Sequence, residues 1–153
     1  MSKKTVFIGI IVVFIVIILG LQLIQEVRQR QALKNVEITL DGVGLKSIGF
    51  TSATLDIRLR MFNPNTITAT LDRADYDLYG NNVQLGYGVI RQRIDIPPGG
   101  IRVVSTDFTL SYSGAGQLIW SALREGKVSW RIRGTAYFDT PLGAIPVPFD
   151  AVL

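Results

Sequence analysis

The chain is 153 residues long and holds neither cysteine nor histidine. This length suits roughly one domain, and the composition excludes disulfides, thiolate nucleophiles, imidazole bases, a lipidated cysteine and the usual soft-ligand zinc sites. The net charge of +4 lies within residues 1–34, where Lys3, Lys4, Arg28, Arg30 and Lys34 are opposed by Glu26 alone; residues 35–153 balance eleven basic against eleven acidic side chains. The folded part therefore has no net basic field to condense on nucleic acid.

Residues 1–4 form a basic tail, and residues 5–25 read as a single transmembrane helix. Of the 19 residues from Val6 to Ile24, 16 are Val, Ile, Leu or Phe. A helix over this run rises about 28 Å, close to the ~30 Å hydrocarbon core, and its insertion free energy is on the order of −6 kcal/mol. A cleaved leader is the competing reading. Its apolar stretch would be shorter, and "QEVRQRQALK" (25–34) offers no small-x-small site. The sequence favours an anchor, with the lipid bilayer as partner of residues 6–24. The short basic tail favours a signal anchor with a cytoplasmic N-terminus and an extracytoplasmic domain, although Arg28, Arg30 and Lys34 on the other side nearly balance the count. Residues 26–35 read as a helical stalk or linker ending at Asn35.

From residue 36 the period changes from helical to two. "VEITL" (36–40) alternates, and "TSATLDIRLRMF" (51–62) alternates better, with Ala53, Leu55, Ile57, Leu59 and Met61 on one face. Ile67, Ala69 and Leu71 repeat the pattern, and 74–89 reads as a hairpin turning at "GNN" (80–82). Ile94 and Ile96 lead to a "PPGG" turn (97–100), and Val104, Thr106, Phe108, Leu110 and Tyr112 follow. "SGAGQLIWSALREGK" breaks the rhythm. Leu118, Ile119, Ala122 and Leu123 have helical spacing, which predicts one short helix over about 115–125, with Ser113 as N-cap and Gly126 as stop. A strand through Val128–Phe138, a turn at "DTPLG" (139–143) and a last strand ending "VPFDAVL" complete the chain. The expected fold of 36–153 is all-β, an immunoglobulin/fibronectin type III-like antiparallel sandwich with one short helix.

The stretches "FNPNTITATLDRADYDLYGNNVQLGYG" (62–88), "IDIPPGG" (94–100) and "YFDTPLGAIPVPF" (137–149) resemble the late-embryogenesis-abundant type 2 family, which carries the water-stress-and-hypersensitive-response (WHy) domain. The resemblance covers about 36–153. Its motif residues here are Asn63, Pro64 and Asn65, then Tyr76, Asp77 and Tyr79, then the Pro-Pro-Gly turn. It implies a fibronectin-like sandwich with one helix and an association with desiccation, cold and defence stress. An N-terminal anchor is common in the family, which has no established enzymatic activity.

Each motif has a structural reading as well. Pro64 ends a strand, and the amides of Asn63 and Asn65 suit backbone groups at its exit. Asp75 and Asp77 share one strand face, which suits a solvated surface better than a calcium or acid–base site. Trp120 and Trp130 are expected to join helix to sheet in the core. Arg58/Arg60, Arg91/Arg93 and Arg131/Arg133 each have i, i+2 spacing, so each pair is expected on one strand face. Two such pairs on one sheet would meet anionic lipid or a protein partner. The alternative is cross-strand pairing with acidic residues such as Asp56, Asp75 or Asp77. No catalytic, cofactor or metal residue is expected. The sequence thus points to a non-enzymatic, membrane-anchored domain that protects or bridges membrane and envelope components under desiccation or other stress. The alternative is a structural subunit of a membrane-anchored surface assembly or filament. No small-xxx-small pattern between Gly9 and Gly20 supports helix pairing.

Overall fold

The computed structural model describes residues 3–153, and of Lys3 and Thr5 the backbone alone. Met1 and Ser2 of the basic tail lie outside the described residues. The chain divides into a helical unit through Ala32 and a β unit from Leu33 onward, and each is taken by itself.

The helical unit is α1 (Lys3–Leu33). Its 31 residues rise about 46 Å, so the helix continues beyond the hydrocarbon-length run into residues 25–33. Lys3 and Lys4 belong to the helix. Over residues 6–24 apolar side chains stand on every face, with Phe7 and Phe14 exposed at 66 % and 65 %, and the mean hydropathy there reaches 3.2. A helix apolar all round has no polar face to give to water. This one is long and apolar enough to cross a membrane.

In the β unit the strands are β1 (Glu37–Ile48), β2 (Ser52–Phe62), β3 (Ala69–Gly80), β4 (Val83–Ile90), β5 (Ile94–Ile96), β6 (Ile101–Ser111), β7 (Trp130–Phe138) and β8 (Ile145–Val152), with α2 (Ala115–Arg124) between β6 and β7. One sheet has the order β1-β2-β6; the other has β4-β3-β7-β8, with β5 also on β3. Every pairing is antiparallel. The sheets enclose one core, in which Leu55, Ile57, Leu59 and Met61 of β2 meet Leu71, Tyr76 and Leu78 of β3 and Ile132, Ala136 and Phe138 of β7. Burying each large apolar side chain contributes roughly 1.5–3 kcal/mol, so the alternating faces hold the unit together without a cross-link.

The bulges explain how the sequence pattern reads. β1 is much longer than the alternation at 36–40 suggests. Its register shifts between Leu40 and Gly42 and again between Leu45 and Ser47, so its apolar positions change phase twice. β3 is one strand, and its phase slip is a bulge at Asp72–Arg73, where the register against β7 shifts and both residues are exposed. Ile67 lies in the preceding loop, outside any strand. The β3–β4 hairpin turns on Asn81 and Asn82, with φ of 49° and 65°, the left-handed pair that a two-residue turn of type I′ requires.

α2 differs from expectation in three details. Its N-cap is Gly114 with no side-chain cap, because the Ser113 hydroxyl bonds to Ser111 instead. Its inward face is Gly116 and Ile119, with Leu123 partly buried, so Leu118 is left 71 % exposed. Trp120 lies half-buried against Tyr112, ring centroids 4.4 Å apart, while Trp130 is in the core. The stop at Gly126 is a Schellman closure. Gly126 has φ 68° and donates to Leu123, and Lys127 donates to Ala122.

Candidate functional site

The three arginine pairs do not converge on one sheet. Arg58 and Arg60 are on β2, outward on the three-stranded sheet, while Arg131 and Arg133 are on β7 in the other sheet. Arg91 and Arg93 lie in the break between β4 and β5 rather than on a strand face. Because β4 and β5 both pair with β3, these two arginines sit where that edge interrupts its ladder.

Three of these six cations pair with a carboxylate, and the partners differ from those suggested by the sequence. Arg131 Nε donates to Asp150 Oδ1 at 2.7 Å and Arg133 Nε to Asp150 Oδ2 at 2.9 Å. Arg131 and then Arg133 hold the Asp150 carboxyl well below the usual carboxylate range through these hydrogen bonds. Arg93 Nη1 donates to Asp139 at 2.7 Å, which raises the arginine further. Asp77 accepts from Gln84 at 3.0 Å, and Asp75 lies 3.8 Å from Arg73. Tyr79 stands opposite Arg131 in register.

Among the described residues, Arg58 and Arg60 have no carboxylate within ion-pair distance. The Arg58 guanidinium lies over Gly42, where a Cβ would collide with it. The absence of a side chain there lets the cation lie flat on the sheet. Arg60 lines a shallow hollow of about 420 Å³ with Glu37, Thr39, Phe62 and Ile101. Ile101 and Val103 on β6 are exposed beside it. Two uncompensated guanidiniums bordered by aliphatic surface offer forked donors to a phosphate or carboxylate. They offer no general base or nucleophile.

Asn63, which follows β2, is fully buried. Its Nδ2 donates to the carbonyls of Ile67 at 2.8 Å and Ile96 at 2.9 Å, and its Oδ1 accepts from Asn65 N at 3.1 Å and Asn65 Nδ2 at 2.9 Å. Its backbone N–H donates to Gly100, and its carbonyl accepts from Gly99. One side chain and its own backbone thereby latch the 63–68 loop onto the Pro97–Gly100 turn. Pro64, which lacks an N–H, leaves the strand without breaking a ladder bond. Tyr76, also buried, packs beneath Gly88 and reaches Thr106 on the opposite sheet; burial pushes its phenol upward.

Several features have little trace in the sequence. Lys46 spans to Asp107 at 2.7 Å, across β2. A crevice of about 330 Å³ opens among Val43, Leu45, Leu123, Val128, Trp130 and Leu153. Phe50 stands fully exposed after β1. Among the described residues, no group of three acidic, His or Cys side chains is placed to hold a metal ion.

A family model described as late embryogenesis abundant protein matches residues 58–152, from Arg58 to Val152. No curated protein matches. Among solved structures, the β unit is similar to a protein of Arabidopsis thaliana at 13 % identity and TM-score 0.60, covering 76 % of this chain and 78 % of that one. It is similar to a putative late embryogenesis abundant protein at 19 % identity and TM-score 0.55, covering 78 % and 69 %. A protein of Archaeoglobus fulgidus follows at 12 % identity and TM-score 0.51, covering 75 % and 94 %. At such identities these structures share the fold alone.

Proposed function

The chain belongs to the late embryogenesis abundant protein family, and from that premise we propose that it is a single-pass, membrane-anchored, non-enzymatic member, of the WHy-domain kind, acting under desiccation or other stress. One observation carries the reading. An apolar helix with no polar face precedes an antiparallel β unit of balanced charge. The helix keeps the β unit at the bilayer surface, where it protects or bridges membrane and envelope components. The interleaved order, with β6 beside β2 and β7 beside β3, supports the fibronectin type III-like label, since consecutive strands are exchanged between sheets as in Greek-key sandwiches. Arg58 and Arg60 are the residues we assign to contact with anionic headgroups. The N-terminus is assigned to the cytoplasm and the β unit to the outside, following the basic tail.

The test is attachment. The full chain should stay with membranes through alkaline carbonate washing, and deletion of residues 1–25 should release a folded, soluble β unit. Full membrane attachment of the deleted chain would refute the anchor. Protease added to sealed vesicles or spheroplasts decides the side. Digestion of the β unit from outside an intact cell is the expected result.

A further inference from the structure

A sheet edge is a row of unpaired backbone donors and acceptors, and three of the four edges of this unit are spoiled for pairing. On β8, Leu153 N donates to Trp130, so by alternation the odd residues face β7 and the even ones face outward. Two of the outward residues are Pro146 and Pro148, which have no N–H to give. β1 carries two register shifts. The edge formed by β4 and β5 is shifted at Leu78/Tyr79 and interrupted at 91–93.

β6 is different. Its eleven residues pair with β2 in one register from Phe62↔Ile101 to Ser52↔Ser111, without a bulge or proline. Tyr112 N donates to Thr51, and Asn63 N donates to Gly100. Both bonds fix the same parity, so even residues of β6 bond β2 and odd ones turn their N–H and C=O outward. Among the described residues, nothing outside the β2 ladder bonds the backbone of Val103, Ser105, Asp107 or Thr109. Their side chains are exposed as well. Charge guards this edge only at its start, where Arg102 donates to the outward carbonyl of Ile101 at 3.0 Å; farther along, Asp107 is neutralised by Lys46.

We propose that β6 is a strand-addition site and that its occupant is β6 of a second copy, antiparallel, joining two three-stranded sheets into one of six. The strand complements itself about Thr106. Ser105 then faces Asp107 of the second copy and Val103 faces Thr109, so exposed valine gains an aliphatic neighbour, no like charges stand directly opposite, and the two diagonal Asp107 carboxylates each keep their Lys46. This inference concerns association and stands apart from the anchor and stress roles.

The experiment uses the full chain in a nonionic micelle, followed by sedimentation. The wild type should show twice the monomer protein mass, and Ser105→Pro, which removes an outward N–H alone, should show the monomer mass with an unchanged far-ultraviolet spectrum. Because the chain has no cysteine, differently tagged Ser105→Cys and Asp107→Cys copies provide a second readout, and a mixed cross-linked pair is expected. A wild type that stays monomeric overturns the proposal. So does a dimer indifferent to Ser105→Pro, or the absence of the mixed cross-link. A monomer that captures a synthetic peptide of residues 101–111 overturns self-pairing in favour of a foreign strand.

Discussion

Asn63→Ala tests the loop latch directly. The substitution deletes the amide that donates to Ile67 and Ile96 and the oxygen that accepts from Asn65. Ile96 is fully buried, so water does not replace that bond. An unsatisfied buried group costs about 1–3 kcal/mol, and the half-buried Ile67 and Asn65 groups lie at the low end. The sum is about 4 kcal/mol, a large fraction of a typical 5–15 kcal/mol stability. For a unit of this size it lowers the melting temperature by about 15 °C. Both tryptophans, Trp120 and Trp130, lie in the β unit, so their fluorescence follows its unfolding in the full chain without a signal from α1. Asn63→Asp separates loss of volume from loss of donors. Its carboxylate would sit buried against two carbonyl oxygens, which raises its folded-state pKa above the unfolded value. The native state then binds more protons, so this variant loses stability as pH rises above the ordinary carboxylate range and regains it on acidification. An Asn63→Ala chain melting within about 2 °C of wild type would refute the latch, because the range for a lost buried bond starts well above that.

Asp150, held low by Arg131 and Arg133, supports folding above the ordinary carboxylate range, and that support fades as pH falls through it toward the lower folded value. Urea midpoints should therefore decline on acidification in the wild type, and more gently in Asp150→Asn. Gly134→Ala places a Cβ on the Asp75 carbonyl and the Tyr76 backbone and should cost about 1–3 kcal/mol. Gly44→Ala meets open space and should be neutral or stabilise by about 0.4–1 kcal/mol, read from the same melts. Arg58→Gln with Arg60→Gln should weaken salt-sensitive adsorption of the β unit to vesicles containing anionic lipid by about thirtyfold, near 1 kcal/mol per cation removed. Arg131→Gln should weaken adsorption much less, since that guanidinium is already engaged by Asp150.

Strong alternation was legible in the sequence. β2 reads straight from Ala53 to Met61 because no bulge interrupts it, and the Asn81-Asn82 turn announces itself through residues that tolerate left-handed backbone. The second half of β1 was hidden because Asp41 and Lys46 each shift the phase by one, which puts Val43 and Leu45 out of step with Ile38 and Leu40 and then brings Ile48 back into step. Arginine spacing shows a shared face but says nothing about which sheet carries it. That depends on strand order, set by contacts distant in sequence. The same holds for Asn63, whose partner Ile96 lies 33 residues on. Leu118 misled because apolar residues at 118, 119, 122 and 123 leave two faces available, and close packing of Gly116 against Ser111 selects the one through Ile119.

The two prolines of β8, together with the bulges of β1 at the far edge of the other sheet, set the valence of the fold. A module that can be joined along a single flank makes closed pairs and then stops. With both flanks open, the same module would string copies into ribbons of indefinite length. Pro146 and Pro148 are therefore chain terminators in the polymer chemist's sense: they remove β8 as a second point of growth.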